Sequence, residues 1–253
     1  VGVYYDDNGR VPVLECVRRV EQQLAENPLP RNYLPIDGIQ AYDRAVQELV
    51  FGKGFAAVGE QRVVTVQTLG GTGGLKVGGD LLRRISPGAG LWISNPSWEN
   101  HLAVFEYAGF KVGTYPYYNP ANHGLDFDGM TGALDKLPAG SVVVLHACCH
   151  NPTGVDLSQE QWEQIIEIVN RRRLVPFLDM AYQGFADGLD ADAAAVHRFA
   201  QACPVVFGSS SFSKSLSLYG ERVGSLSVVT GSPDEATRTL SQLKRVIRTN
   251  YSS

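Results

Sequence analysis

The sequence predicts an α/β fold built on a doubly wound sheet. From Arg62 onward, short apolar runs alternate with longer stretches of helical periodicity, the pattern left by strands joined through helices that cover both faces. Strands are expected at 63–69, 91–94, 112–115, 142–146, 175–179, 205–208 and 224–229. With 253 residues, 44% hydrophobic and 19% charged, the chain is also long enough to bury a core under that sheet.

The elements follow in order. Asp6-Asp7-Asn8-Gly9 reads as a turn, and a helix starts near Pro12 with Val13, Val17, Val20 and Leu24 at helical spacing, a face expected to pack into the core. Asn27-Pro28-Leu29-Pro30 stops it. Tyr33 then lies in a proline-bounded loop before a second helix at 39–51. Further helices are expected at 75–85, 100–108, 159–171 and 191–201, and a last one at 233–249. Neither an internal repeat nor a low-complexity tract interrupts them.

Composition excludes several function classes. A net charge of -4 offers no basic field for nucleic acid or an anionic membrane, and no apolar run approaches the roughly 20 residues of a membrane-spanning helix. Cys16, Cys148, Cys149 and Cys203 lack the density of a disulfide framework, which fits a reducing cytoplasm. No signal peptide is visible, although the sequence opens at Val1 without methionine.

Several residues are candidates for chemistry. Lys214 sits in Ser209-Ser210-Ser211-Phe212-Ser213-Lys214, after an apolar strand and with no charged neighbour in sequence until Glu221 and Arg222. It reads either as a surface lysine in a serine-rich loop or as the amine of a Schiff base, which needs a depressed pKa. Gly70-Gly71-Thr72-Gly73-Gly74 joins a strand to a helix and reads as a tight turn or as a backbone cradle for an anion. Asp179 ends an apolar strand, where an acid is a helix cap or a ligand. Trp98 is core packing or a stacking platform. His146-Ala147-Cys148-Cys149-His150 suggests zinc, but adjacent cysteines at a strand end point opposite ways and do not share one tetrahedral ion, so no metal site is assigned. Arg248, near Lys244 and Arg245, reads as part of a solvated basic helix end.

Six segments in order, N-Y-L-P-I-D-G at 32–38, G-G-T-G at 70–73, S-N-P-S-W-E-N-H at 94–101, C-C-H-N-P-T-G at 148–154, D-M-A-Y-Q-G-F at 179–185 and S-F-S-K-S-L-S-L-Y-G-E-R-V-G at 211–224, resemble the class I aminotransferases. The likeness runs from V-G-V-Y at the first residue to R-T-N-Y-S-S at the last, and the lysine segment is most similar to the aromatic amino acid branch. It implies fold type I, the pyridoxal 5'-phosphate (PLP)-dependent transferase fold, with a mostly parallel seven-stranded sheet. PLP is then carried on Lys214. Gly71, Thr72, Ser211 and Arg222 hold its phosphate, with Tyr33 reaching over from a second subunit of a homodimer. Asp179 keeps the pyridine nitrogen protonated, Tyr182 and Asn151 bond the ring's phenolic oxygen, and Trp98 stacks on the ring. His101 and His146 support Asp179 from behind. Gly2, Trp98, Asn151 and, across the dimer, Arg248 contact the substrate.

The same likeness assigns 1–32 to the start of a small domain and 33–253 to the large PLP-binding domain. The rest of the small domain, with the arginine for the substrate α-carboxylate, follows N-Y-S-S in the family, so the sequence as given is expected to be an incomplete catalyst. The implied function is cytoplasmic transfer of an amino group from tyrosine, phenylalanine or aspartate to 2-oxoglutarate in a ping-pong cycle. An aspartate aminotransferase, a lyase or decarboxylase of the same fold, and a PLP-holding module without turnover are the alternatives.

Overall fold

A computed structural model describes residues 2–251; Val1, Ser252 and Ser253 lie outside the described residues. The elements run α1 Glu15–Glu26, α2 Gln40–Phe51, α3 Ala56–Gly59, β1 Val63–Leu69, α4 Gly70–Ile85, β2 Leu91–Asn95, α5 Glu99–Tyr107, β3 Val112–Pro116, β4 Tyr118–Asn119, β5 Gly124–Leu125, α6 Phe127–Leu134, β6 Val142–His146, α7 Gln159–Arg172, β7 Val175–Met180, α8 Leu189–Asp192, α9 Ala194–Ala202, β8 Val206–Ser211, β9 Val223–Val229 and α10 Pro233–Arg248. Seven strands form one sheet in the order β1-β9-β8-β7-β6-β2-β3. Only β9 runs against its neighbours, so the sheet is mostly parallel. Among the described residues no helix is long and apolar enough to cross a membrane.

Each central strand feeds two cores. Along β6, Val142 and Val144 join the cluster with α4, α5 and α10, whereas Val143 and Leu145 join the cluster with α2, α6, α7 and α9. The two-residue period puts alternate side chains on opposite faces, and helices cover both. Local chemistry sets the helix ends. Ser158 and Gln161 form a capping box at the start of α7, and Arg173 closes it in a left-handed conformation. Ser232 accepts from the Glu235 N–H at the start of α10, with Pro233 in the first turn.

Four expectations are corrected. The apolar face of α1 is not core, because none of its residues is buried, and Val13 and Val20 are 66% and 52% exposed. Helix α4 begins at Gly70, not at 75, because its glycines let it lie hard on the sheet: a methyl on Gly74 would stand 2.5 Å from Ser209 Oγ and 2.7 Å from the Ser225 carbonyl. Tertiary packing there overrides glycine's poor helix propensity. The helix expected at 191–201 divides at Ala193 into α8 and α9. Strand β8 extends through its serines to Ser211, since hydroxyl side chains do not interrupt backbone pairing with β9. The short α3, the β4–β5 hairpin and α6 have no counterpart in the sequence reading.

Candidate active site

A cleft of about 430 Å³ opens at the carboxyl ends of β6, β7 and β8, where open α/β sheets place their ligands. Register builds its floor, because His146, Asp179 and Ser209 are paired across the three adjacent strands. Of the residues expected in the site, Gly2, Gly71, Thr72, Trp98, His146, Asn151, Asp179, Tyr182, Ser211, Lys214 and Arg222 line this one cleft. Tyr33 and Arg248 do not. Tyr33 is 97% exposed, and Arg248 borders a separate hollow with Ile36, Lys244 and Arg245.

Asp179 is buried, and its geometry removes the reading as a helix cap. Its Oδ2 accepts from His101 Nε2 at 2.8 Å, and no helix starts on it. Behind it runs a relay of hydrogen bonds. The Asn151 main-chain N–H donates to His146 Nδ1 at 3.4 Å, so the neutral ring carries its proton on Nε2, 3.3 Å from Ser97 Oγ. Ser97 lies 2.9 Å from His101 Nδ1, which leaves the Nε2–H of His101 to donate to Asp179. Burial, aided by His101, holds the His146 pKa down at about 4. Burial alone would raise the Asp179 carboxyl, but the His101 hydrogen bond, with the electrostatic influence of His101, His146 and Lys214, brings it below the usual carboxylate range.

Lys214 lies in a turn beyond β8, with its Nζ 5.1 Å from the centre of the Tyr182 ring. Among the described residues no hydrogen bond or ion pair engages that amine. Burial lowers its pKa; the nearby Asp179 opposes the shift and Arg222 reinforces it. The charges absent from its sequence neighbourhood are therefore supplied in space. Burial, with Asp179, pushes the Tyr182 phenol up.

The glycine-rich turn forms the opposite wall. Gly70 has φ +68°, and its N–H donates to the Arg222 carbonyl at 2.9 Å; a methyl on Gly70 would stand 2.5 Å from Arg222 Nη2. Only glycine admits the guanidinium here. The first turn of α4 thus meets Arg222, Thr72 and Ser211 in one cup. Trp98 precedes α5, packs partly on the core and also lines the cleft. Cys148 and Cys149 are free thiols; His146 and His150 are engaged with Ser97 and Ser94. Sequence reasoning assigned no role to Ser97 or Tyr219, although both lie inside the segments that carried the resemblance.

Sheet order, strand-edge cleft and anion cup together define the fold type I, PLP-dependent transferase fold. Within it, residues 1–253 match the family aminotransferase class I and II, and the chain belongs to that family. It is 56% identical over 253 residues to the aspartate aminotransferase of Pseudomonas aeruginosa, covering 100% of this chain and 64% of that protein. It is 49% identical over 254 residues to the aromatic-amino-acid aminotransferase of Escherichia coli K12, again covering 100% and 64%. The crystal structure of an aromatic-amino-acid aminotransferase from Burkholderia pseudomallei, covalently bound to pyridoxal phosphate, superposes with a TM-score of 0.99 at 60% identity, covering 100% of this chain and 63% of that one. The chain therefore spans somewhat under two thirds of the length of these relatives.

Proposed function

We propose that a protein containing this chain is a PLP-dependent aminotransferase that moves the amino group of tyrosine or phenylalanine, and of aspartate, to 2-oxoglutarate. The observation that carries the reading is a half-buried, unpaired Lys214 amine facing the same cleft as a buried carboxylate that His101 keeps ionised. The residues present fit the cofactor. Arg222, the Thr72 and Ser211 hydroxyls and the first turn of α4 suit a phosphate dianion, Asp179 suits a pyridinium nitrogen, and the Trp98 indole offers a flat apolar wall. When bound, PLP supplies an electron-withdrawing ring that stabilises negative charge at the substrate Cα.

The chain's own residues do the rest. Asp179 accepts a hydrogen bond from the ring N–H, and the relay through His101, Ser97 and His146 fixes its direction. Asn151 and Tyr182 donate to the ring's phenolic oxygen. Lys214 Nζ would take the proton from the substrate Cα and deliver it to the cofactor carbon, which requires an amine that is neutral near pH 7. Tyr33 and Arg248 do not line this cleft and serve that of a second copy, Tyr33 at the phosphate and Arg248 at the distal carboxylate of aspartate or 2-oxoglutarate. Residues 1–32 are assigned to the start of a small domain and 33–253 to the large PLP-binding domain. Four free cysteines and no paired ones suit the cytoplasm.

Borohydride reduction after loading with PLP, followed by peptide mapping, should fix the label on Lys214. Labelling at another lysine, or no 2-oxo acid formed from tyrosine, phenylalanine or aspartate with 2-oxoglutarate, would refute the assignment.

A further inference from the structure

The segment 2–34 runs outside the α/β body. Helix α1 buries none of its residues, and Val13, Val20, Leu24 and Leu29 all remain exposed. Its tip nevertheless enters the cleft. Gly2 and Val3 line it, and a methyl on Gly2 would stand 3.4 Å from the Tyr182 hydroxyl and 3.8 Å from Lys214 Cε. A segment that buries so little is not held there by packing. Among the described residues one hydrogen bond joins 2–34 to the rest of the chain: the Tyr4 N–H donates to the Tyr219 hydroxyl at 3.0 Å.

Tyr219 is itself well anchored. Arg222 Nη1 donates to its carbonyl at 3.0 Å and to Ser213 Oγ at 3.3 Å, so the guanidinium facing the anion cup also fixes the residue that carries the tether. Its side chain lines the cleft between Lys214 and Arg222 in sequence, and its phenol meets the strap.

We propose that Tyr219 is a positioning residue whose hydroxyl pins the N-terminal strap, Gly2 to Tyr4, as the wall of the cleft beside Lys214. A wall held by one hydrogen bond closes the space around the amine against water and gives the substrate a surface to bind. Loss of the hydroxyl opens that wall without touching Asp179 or the anion cup. The kinetic consequence rests on the aminotransferase reading; the tether does not.

Tyr219→Phe keeps the ring and removes the acceptor. In a protein containing this chain, hydrogen exchange at residues 2–5 should quicken about fivefold, the scale of one net hydrogen bond, with β8 and β9 unchanged. Without added cofactor, labelling of Lys214 by an amine-reactive reagent should rise by a similar factor. With PLP, KM for the amino acid should rise about fivefold and kcat change less than about twofold. Tyr4→Pro, which deletes the donor, should reproduce these effects, and the double variant should add nothing to either single one. Unchanged exchange at 2–5 in Tyr219→Phe overturns the tether, and faster exchange with unchanged Lys214 labelling overturns the positioning role. Both results are read whether or not the wild type takes up PLP, whereas failure of that uptake, seen in its absorbance, counts against the aminotransferase reading alone.

Discussion

Burial acts on Lys214 and Asp179 in the same sense, against the charged form, and only Asp179 has a partner that reverses it. The lysine is left with a lowered pKa and a free amine; the aspartate stays ionised because His101 donates to it at 2.8 Å. Both consequences are testable in a protein containing this chain. Lys214→Ala should keep PLP in the cup as a reversible ligand that borohydride no longer attaches to the protein, and transamination should fall by at least about 100- to 10,000-fold. Asp179→Ala should retain PLP affinity through Arg222 and the α4 turn while the rate of Cα proton loss falls about 100- to 1,000-fold; an unchanged rate would remove Asp179 from the chemistry. Both residues were legible in the sequence because each stands at the end of an apolar strand. Ser97 was not, since a serine beside a proline carries no signal until His101 and His146 are brought within hydrogen-bond reach of it.

Elements with strong local patterns were read closely, and those shaped by their neighbours were not. Strand β1 and the start of α7 lie where their patterns predict, the latter because the Ser158/Gln161 capping box is written in adjacent residues. Ser158→Ala should lower stability by about 1 kcal/mol in denaturant melts, leaving the cleft intact. Helix α4 is the opposite case, a glycine-rich stretch that is helical because the sheet demands close approach. Gly74→Val would drive a branched side chain into Ser209 Oγ and the Ser225 carbonyl, so soluble yield or melting temperature should drop sharply. A variant as stable as wild type would mean that α4 does not pack this tightly on β8 and β9. The amphipathic pattern of α1 correctly marked a helix but not its partner, because periodicity records that a face needs covering and not what covers it.

At the scale of the whole molecule, α1 and Tyr33 are exposed and Arg248 borders a separate hollow, and under the proposed function Tyr33 and Arg248 serve the cleft of a second copy. Arg248→Leu should cut kcat/KM for aspartate far more than for phenylalanine, which has no distal carboxylate; equal losses would make Arg248 structural. The seam between α2 and α10 carries a pH dependence. Asp43 and Asp37 each bury an Oδ1 without a hydrogen-bond partner, Lys244 pairs with Asp37 at 3.2 Å, and the Tyr251 phenol and Arg44 also act in the field of this pair. Burial, then the charge of Asp37, pushes Asp43 up to about 7, with Arg44 opposing. An acid that holds its proton more tightly folded than unfolded makes stability fall as pH rises from about 4 towards 7, with no further loss from this group above that. Asp43→Asn should flatten that part of the melting-temperature profile; an unaltered profile would rule Asp43 out as its source.

By itself the sequence determined the α/β class, most strand positions, the strand-edge candidates Lys214 and Asp179 and the family resemblance, because periodicity, capping and motif order are written within a few residues of one another. Tertiary structure alone decided that Asp179 caps no helix and meets His101, that α4 starts at its glycines, that α1 buries none of its residues against the described part of the chain and that the Tyr219 hydroxyl meets the Tyr4 N–H. Each of these depends on groups far apart in sequence, such as His101 and Asp179 or Tyr4 and Tyr219, and a local pattern carries no record of which distant atom will meet a given side chain.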